Sequence, residues 1–519
     1  MRNKLSYLIA ILPLCFAASS CDQTSSFYEF DETVTNENGS AYYEIFVRSF
    51  YDTDNNGLGD LQGVKEKLPY LAELGVKGIW LMPIHPSDTY HKYDVKDYVG
   101  IDSEYGTLDD FDDLITEANQ HHIDIIIDLV INHSSVNHPW FIEAQNQKRN
   151  NTCSALDSKC RYYNWSDASQ EGYRWSSLAN SHYEGRFDSS MPDLNLDNEY
   201  VVSEFEDIVD FWLNRGVKGF RLDAVTSFYT DCMEKNVQFL ANFNNYVKSV
   251  EPDAFIIGEA WENLTSILYQ YASSGMHFFN FPLSETNNKG IAHSVMQMNG
   301  YDFSRTLVNS EVQIKQASQT SKNALIISNH DMDRSAGYLA DEKAKLAASA
   351  YLLSPGHPFI YYGEEIGLRG SRGGATTDAN RRLPMIWDKN DNDGLCDNPP
   401  GTTYDQTLQV ENGVYDNLKI GDSLTNHYKK VLNVRNKYGI IHDGLYNYVD
   451  TGNAKIASFE VTKSAETLYL LHNFSNEVQI IELEVSGLNI IEAINVVGIN
   501  PSLDGQTLSL APFSSVIIQ

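Results

Sequence analysis

Short apolar runs recur along the chain, separated by stretches whose apolar positions repeat every three or four residues. Eight runs of strand type occupy residues 42–47, 76–83, 123–131, 217–224, 254–258, 277–281, 324–328 and 358–362. Helical periodicity fills residues 61–74, 108–122, 201–214 and 342–353 between them. Strands alternating with amphipathic helices predict a parallel sheet with crossover helices, and eight strands are the number that closes a barrel. The first and third helical stretches end at Gly75 and Gly216, each followed by the phrase Val-Lys-Gly that opens the next strand. Both glycines are predicted at the position after a helix where the backbone turns left-handed.

The pattern breaks in two places. From His133 to Pro192 the connection is too long for a barrel loop, and its Trp, Tyr, Ser and Asn content predicts an inserted domain over residues 134–191, after the third strand. Beyond residue 439 the helices stop and two-residue alternation takes over, at 457–461, 467–473, 478–485 and 514–518, which predicts an antiparallel β domain over 439–519. The fold class is therefore α/β: a (β/α)8 barrel over residues 41–133 and 192–438, with an inserted domain and a C-terminal β domain.

Residues 1–21 read as an export signal: Arg2 and Lys4, an apolar run over 5–18, then small residues up to Cys21. The stretch Ala18-Ser19-Ser20-Cys21 resembles a bacterial lipobox, so Cys21 is expected to carry a lipid, with a Ser/Thr/Asn-rich tether over residues 22–40. That lipid would be the chain's one membrane contact, on an exported protein. Four further cysteines remain. Cys153 and Cys160 flank a turn-rich segment suited to a local bridge, and Cys232 and Cys396 are read as buried thiols. No histidines stand at zinc-ligand spacing beside them. A formal net charge of −32, spread along the chain, excludes nucleic acid and anionic membrane surfaces as partners.

In a parallel barrel the reactive side chains stand at the carboxyl ends of the strands. Four of the apolar runs end in charge: Asp128 through Asn132 and His133 on the third, Arg221 and Asp223 on the fourth, Glu259 on the fifth, and Asn329-His330-Asp331 on the seventh. Three carboxylates facing one pocket repel one another, which a packed core avoids and a catalytic site uses to keep one acid protonated. Glycoside hydrolysis with retention needs such a set, with one carboxylate as nucleophile and one carboxylic acid as proton donor. Asp223, beside Arg221, suits the first role and Glu259 the second, leaving Asp331 to stabilise a distorted sugar.

These phrases, in this order, resemble the conserved regions of the α-amylase superfamily, as do Met191-Pro192-Asp193-Leu194-Asn195, Tyr90-His91-Lys92-Tyr93-Asp94, the Glu104–Thr107 turn and residues 358–367. The resemblance implies Asp223 as nucleophile, Glu259 as general acid/base and Asp331 as transition-state stabiliser. It implies that Arg221 holds the nucleophile, that His133 and His330 hydrogen-bond the sugar, and that Tyr93 stacks beneath it. The implied activity is retaining, endo-type hydrolysis of α-1,4-glucosidic bonds in starch-like glucans or maltooligosaccharides. The rival readings are an oligo-1,6-glucosidase, neopullulanase, cyclodextrin-degrading or transglycosylating relative, and, in another class, a non-catalytic glucan-binding protein. Thr226-Ser227-Phe228 stand where many α-amylases carry Lys-His after the nucleophile, a departure that bears on product-side contacts and on the interdomain calcium site of those relatives. The Met191–Asn195 phrase resembles members intermediate between α-amylases and oligo-1,6-glucosidases or neopullulanases, so bond preference is left open. Oxygen-bearing residues alternate in the loop after the first strand. Asp52, Asp54, Asn56 and Asp60 by side chain, with Leu58 by its carbonyl, form a candidate calcium site, which the same resemblance supports.

Overall fold

The computed structural model describes residues 30, 31, 35, 36, 39–284, 290–374 and 377–519. The export signal with Cys21 and most of the tether lie outside the described residues. No described helix is long and apolar enough to cross a membrane.

Eight parallel strands form the centre: Tyr42–Ile45 (β1), Gly78–Leu81 (β2), Asp124–Leu129 (β3), Gly219–Leu222 (β4), Phe255–Gly258 (β5), His277–Phe279 (β6), Asn323–Ala324 (β7) and Phe359–Tyr361 (β8). They run in the order β7-β6-β5-β4-β3-β2-β1-β8. The ring closes between β7 and β8 through His357 N–H to Asn323 O at 2.8 Å and Phe359 N–H to Leu325 O at 2.9 Å. β7 is shorter than the apolar run at 324–328, because Ile326 gives its N–H to the Ser284 hydroxyl instead of a neighbouring strand. The helical stretch at 61–74 is two helices, Leu61–Glu66 and Leu68–Leu74. Pro69, which has no N–H to donate, starts the second. Gly75 and Gly216 adopt φ of 102° and 95°, the left-handed caps expected of them.

Along each strand alternate residues point inward, so register decides what shares a layer. At the lower level Tyr42 stacks on Phe255 and Phe359, with centroids 4.5 and 5.0 Å apart. The glycines of the repeated phrase make room for this layer, Gly78 for the Tyr42 ring and Gly219 for the backbone of Phe255. A Cβ on Gly78 would lie 2.4 Å from the Tyr42 ring, and one on Gly219, at φ 152°, would lie 1.8 Å from Phe255 O. One level higher the inward positions are Glu44, Trp80, Asp128 and Arg221, paired across strands as Glu44 with Trp80 and Asp128 with Arg221. The apolar floor thus gives way to charge within one layer.

Between β3 and β4 the chain forms helix Pro139–Arg149 and a three-stranded antiparallel sheet ordered Trp165–Ser166, Ser181–Glu184, Tyr173–Ser176. Phe141 packs against Tyr163 and Tyr183 beneath that sheet. Cys153 and Cys160 are disulfide-bonded. Cys396 is buried, whereas Cys232, expected inside, is half-buried at the start of helix Met233–Val250. The C-terminal residues build a five-stranded and a three-stranded antiparallel sheet around Ile456, Leu471, Leu508 and Val516. Phe303 of helix Gly300–Ala317 reaches Phe459 and Phe474 and ties that unit to the barrel.

At the amino ends of the strands His277, His357 and His442 form a row, with ring centroids 5.0 and 4.6 Å apart. Burial pushes His277 down to about 3 and His442 to about 4, and His357 well below the usual imidazole value, with the neighbouring rings and Lys or Arg side chains adding to the effect. The folded state therefore binds fewer protons than the unfolded chain below pH 6.5, and stability falls as pH falls. Each histidine is expected to contribute a slope of about 1.4 kcal/mol per pH unit. Urea unfolding between pH 6.5 and 4.5 measures it, and His357→Gln should remove about one such increment.

Candidate active site

The carboxyl ends of β3, β4 and β5 bring three acidic side chains to one guanidinium. Arg221 Nη1 donates to both oxygens of Asp128, at 3.0 and 2.9 Å, and to Asp223 Oδ1 at 2.8 Å. Its Nη2 lies 3.0 Å from Glu259 Oε1. Arg221 itself is buried, with its guanidinium 4.9 Å from the Trp80 ring below. Just past Asp223, Ala224 sits at φ 46°, a left-handed conformation that costs a non-glycine residue on the order of 1 kcal/mol. The strain has a use, because it points the Ala224 N–H at Glu259 Oε2, 3.1 Å away.

A second group of charges faces the first. His330 is held between Glu44, at 2.6 Å from Nδ1, and Asp331, at 3.0 Å from Nε2. Its Nε2 also lies 2.8 Å from the Tyr93 hydroxyl, which donates to Asp128 Oδ2 at 3.1 Å. The Tyr93 and His330 rings are nearly parallel, 5.7 Å between centroids. Asp331 accepts from Arg382 Nη2 at 2.6 Å. His133 is buried, its ring 5.5 Å from that of Phe187, and its Nε2 has no hydrogen-bond partner among the described residues.

The two groups set the acids apart. Burial, reinforced by Asp223 and Asp331 against the pull of Arg221, pushes Glu259 up to about 7. Burial would also raise Asp331, but His330 and Arg382 outweigh it and hold that carboxyl well below the usual range. Burial would lower His330, yet Asp331 and Glu44 overcome it and push the imidazole up to about 10, so it stays protonated. One pocket thus holds two carboxyls on Arg221, Glu259 and Asp128, that burial pushes up to about 7, beside Asp331, a carboxylate held well below the usual range. A carboxyl that can keep its proton near neutrality is what general-acid cleavage of a glycosidic bond requires.

The structure brings together Tyr93, His133, Arg221, Asp223, Glu259, His330 and Asp331. Sequence reasoning passed over three contributors: Asp128, the bidentate partner of Arg221; Glu44, which anchors His330; and Arg382, the second cation. Asp128 was visible as a buried acid on a strand. Arg382 follows a short turn at Asp378–Arg381 with no periodicity to mark it.

The calcium candidates lie apart, in the loop between β1 and helix Leu61–Glu66. One carboxylate oxygen from each of Asp52, Asp54 and Asp60 lies within 4.8 Å of the others, a hard-oxygen donor set suited to calcium. Asp52 Oδ1 accepts the N–H groups of Asp54, Asn55 and Asn56, and Asp60 caps the helix through Gly63 N–H at 2.6 Å. Asn56 Oδ1 accepts the Leu58 N–H at 2.8 Å.

Residues 44–444 match the family model described as alpha amylase, catalytic domain. Alpha-amylase 3 of Dictyoglomus thermophilum is 35% identical over 493 residues, covering 92% of each chain. The oligo-1,6-glucosidase of Bacillus cereus is 27% identical, covering 86% of this chain and 92% of its own. The solved structure of Eubacterium rectale Amy13B superposes with a TM-score of 0.88 at 35% identity, covering 94% of this chain and 97% of its own.

Arg221 is the charge whose removal the site tolerates least. Arg221→Met should cost about 3–5 kcal/mol at pH 7, the size of a broken buried ion pair. With the cation gone the folded carboxyls hold protons more tightly than the unfolded chain does, so the loss should shrink as pH falls to 5. Denaturant unfolding at the two pH values measures both.

Proposed function

The chain belongs to the α-amylase family of glycoside hydrolases, and from that premise we propose that it is an endo-acting, retaining hydrolase of α-1,4-glucosidic bonds in starch-like glucans or maltooligosaccharides. The observation that carries the reading is Arg221 holding Asp223 and Glu259 on one guanidinium while Asp331 stands across from them with His330 and Arg382. The α-1,4 preference rests on the relative named an α-amylase being 35% identical, against 27% for the oligo-1,6-glucosidase.

In this reading Asp223, oriented by Arg221 through one oxygen, attacks the anomeric carbon with the other. Glu259 gives its proton to the departing glycosidic oxygen, and the bond from that oxygen to the anomeric carbon breaks as the ester to Asp223 forms. Glu259, now a carboxylate, takes a proton from water, whose oxygen displaces Asp223 and restores the α configuration. The developing positive charge on the sugar ring is met by Asp331. Tyr93 offers its ring as a floor, His133 Nε2 is available to a sugar hydroxyl, and His330 Nε2 would share its bonding between Asp331, the Tyr93 hydroxyl and the sugar. The amino-terminal signal and Cys21 would place this activity outside the cytoplasm, tethered by a lipid.

We further propose a structural calcium at Asp52, Asp54, Asn56, Leu58 and Asp60. Bound there, the ion would neutralise three clustered carboxylates and pin the loop that caps helix Leu61–Glu66.

Asp223→Asn and Glu259→Gln should each lower kcat by at least about 10^4-fold, as loss of a nucleophile or its proton-transfer partner does. Stability should hold or rise, because each removes one of the carboxylates crowding Arg221. Turnover near that of the unsubstituted enzyme in either variant would refute the roles. NMR of the first product should find the α anomer, and a panel of starch, pullulan, panose and cyclodextrin should be cleaved fastest at starch. Because Glu259 must be protonated to act as acid, kcat/KM should fall as pH rises through about 7. For the metal, chelation should lower the melting temperature before it lowers rate. An unchanged melting temperature, with no calcium found by elemental analysis of untreated protein, would remove that site.

A further inference from the structure

The inserted sheet turns one face to solvent, and that face carries aromatic rings the catalytic reading does not use. Tyr173 and Trp175 lie two residues apart on strand Tyr173–Ser176, so they share a face about 7 Å apart along the strand. Opposite them in register stand Glu184 and His182 of strand Ser181–Glu184. Trp175 is 53% exposed, an unusual state for the largest apolar side chain. Its ring meets that of His182 edge to face at 4.9 Å, and His182 Nδ1 is buried with no hydrogen-bond partner among the described residues.

One end of the sheet adjoins the cleft. His133 and Asp193 form a β-bridge, and Asp193 N–H donates to Glu184 O at 2.9 Å, which puts the Tyr173 and Glu184 end of the sheet against the catalytic residues. Between them Phe187, 50% exposed, lays its ring 5.5 Å from His133. Tyr173, opposite Glu184, is therefore the ring nearer the barrel mouth, and Trp175, opposite His182, the one farther along the strand.

We infer that this face is an accessory glucan-binding track, on which the part of an α-glucan chain lying beyond the cleaved bond rests its sugar rings on Tyr173 and Trp175. The inference rests on the α-glucan reading above. A flat aromatic ring bordered by hydrogen-bonding groups suits a pyranose, which has an apolar face and a polar edge. His182 provides such a group beside Trp175, and the Glu184 carboxylate, held by Asn164 Nδ2 and Arg186 Nε, stands beside Tyr173. A track in line with the cleft lengthens the contact with a polymer without altering the reacting residues, so its effect is on the affinity for long chains.

Affinity electrophoresis in native gels containing amylopectin tests this on the full chain. Asp223→Asn, which binds substrate without consuming it, is compared with the same chain also carrying Trp175→Ala or Trp175→Phe. Because Trp175 is half-exposed on an edge strand, both substitutions should keep the fold, which thermal unfolding checks. The dissociation constant for amylopectin is expected to rise at least about fivefold with alanine and to be largely restored by phenylalanine. Equal retardation of all three chains would overturn the track, as would no retardation of Asp223→Asn alone. Unchanged retardation with an altered oligomeric state of the alanine variant would assign the face to a second copy of the chain instead. Cleavage of starch by the unsubstituted enzyme decides the functional reading separately.

Discussion

A single buried guanidinium is the constraint on which the site depends. Arg221 carries one positive charge and answers three carboxylates from three adjacent strands. Such an arrangement would relax if its members sat on loops. Here each stands on, or one residue past, a strand locked in register with its neighbours, and Trp80 fills the space beneath. The aromatic layer of Tyr42, Phe255 and Phe359 provides the burial that offsets the crowding above it, and that layer fits only because Gly78 and Gly219 have no side chains. The chemistry of the upper layer is thus inherited from the packing of the lower one.

From that crowding follows the different behaviour of chemically similar acids. Glu259 shares its cation with two competitors and faces Asp331 as well, so it keeps a proton. Asp331 has His330 and Arg382 close at hand and does not. His330 in turn is charged because Glu44, buried at the end of β1, lies on its other nitrogen. Removing any one member redistributes protons among the others, so single substitutions here report on the group rather than on one residue.

Much of this was legible in the sequence. The eight apolar runs marked eight strands because a buried parallel strand must be apolar throughout. The repeated Gly-Val-Lys-Gly phrase marked two helix ends, since only glycine enters the left-handed turn at Gly75 and Gly216 without strain. Charges closing apolar runs located Arg221, Asp223, Glu259 and Asp331, and displayed Asp128 without giving it a role. Other features depend on contacts between distant parts of the chain. Arg382 reaches the site from an aperiodic loop, and Glu44 looks like an ordinary strand residue until His330 is folded against it. The truncation of β7 depends on the Ser284 hydroxyl, distant in sequence. The break in the helix at 61–74 had a visible cause in Pro69, but proline is also tolerated in the first turn of a helix, which is how it is used here.

The row of neutral histidines beneath the strands gives the two ends of the barrel opposite vulnerabilities. On the alkaline side the loss is of protons from buried carboxyls, Glu259 and its neighbour Asp128 among them, each pushed up to about 7, and it is undone when the protons return. Above about pH 4 the histidines gain protons chiefly by leaving their packed positions at the barrel floor. The working range of the molecule is therefore bounded above by its chemistry and below by its architecture. Recovery from alkali is therefore expected to need only the return of protons, whereas recovery from acid unfolding is expected to wait for the barrel to refold.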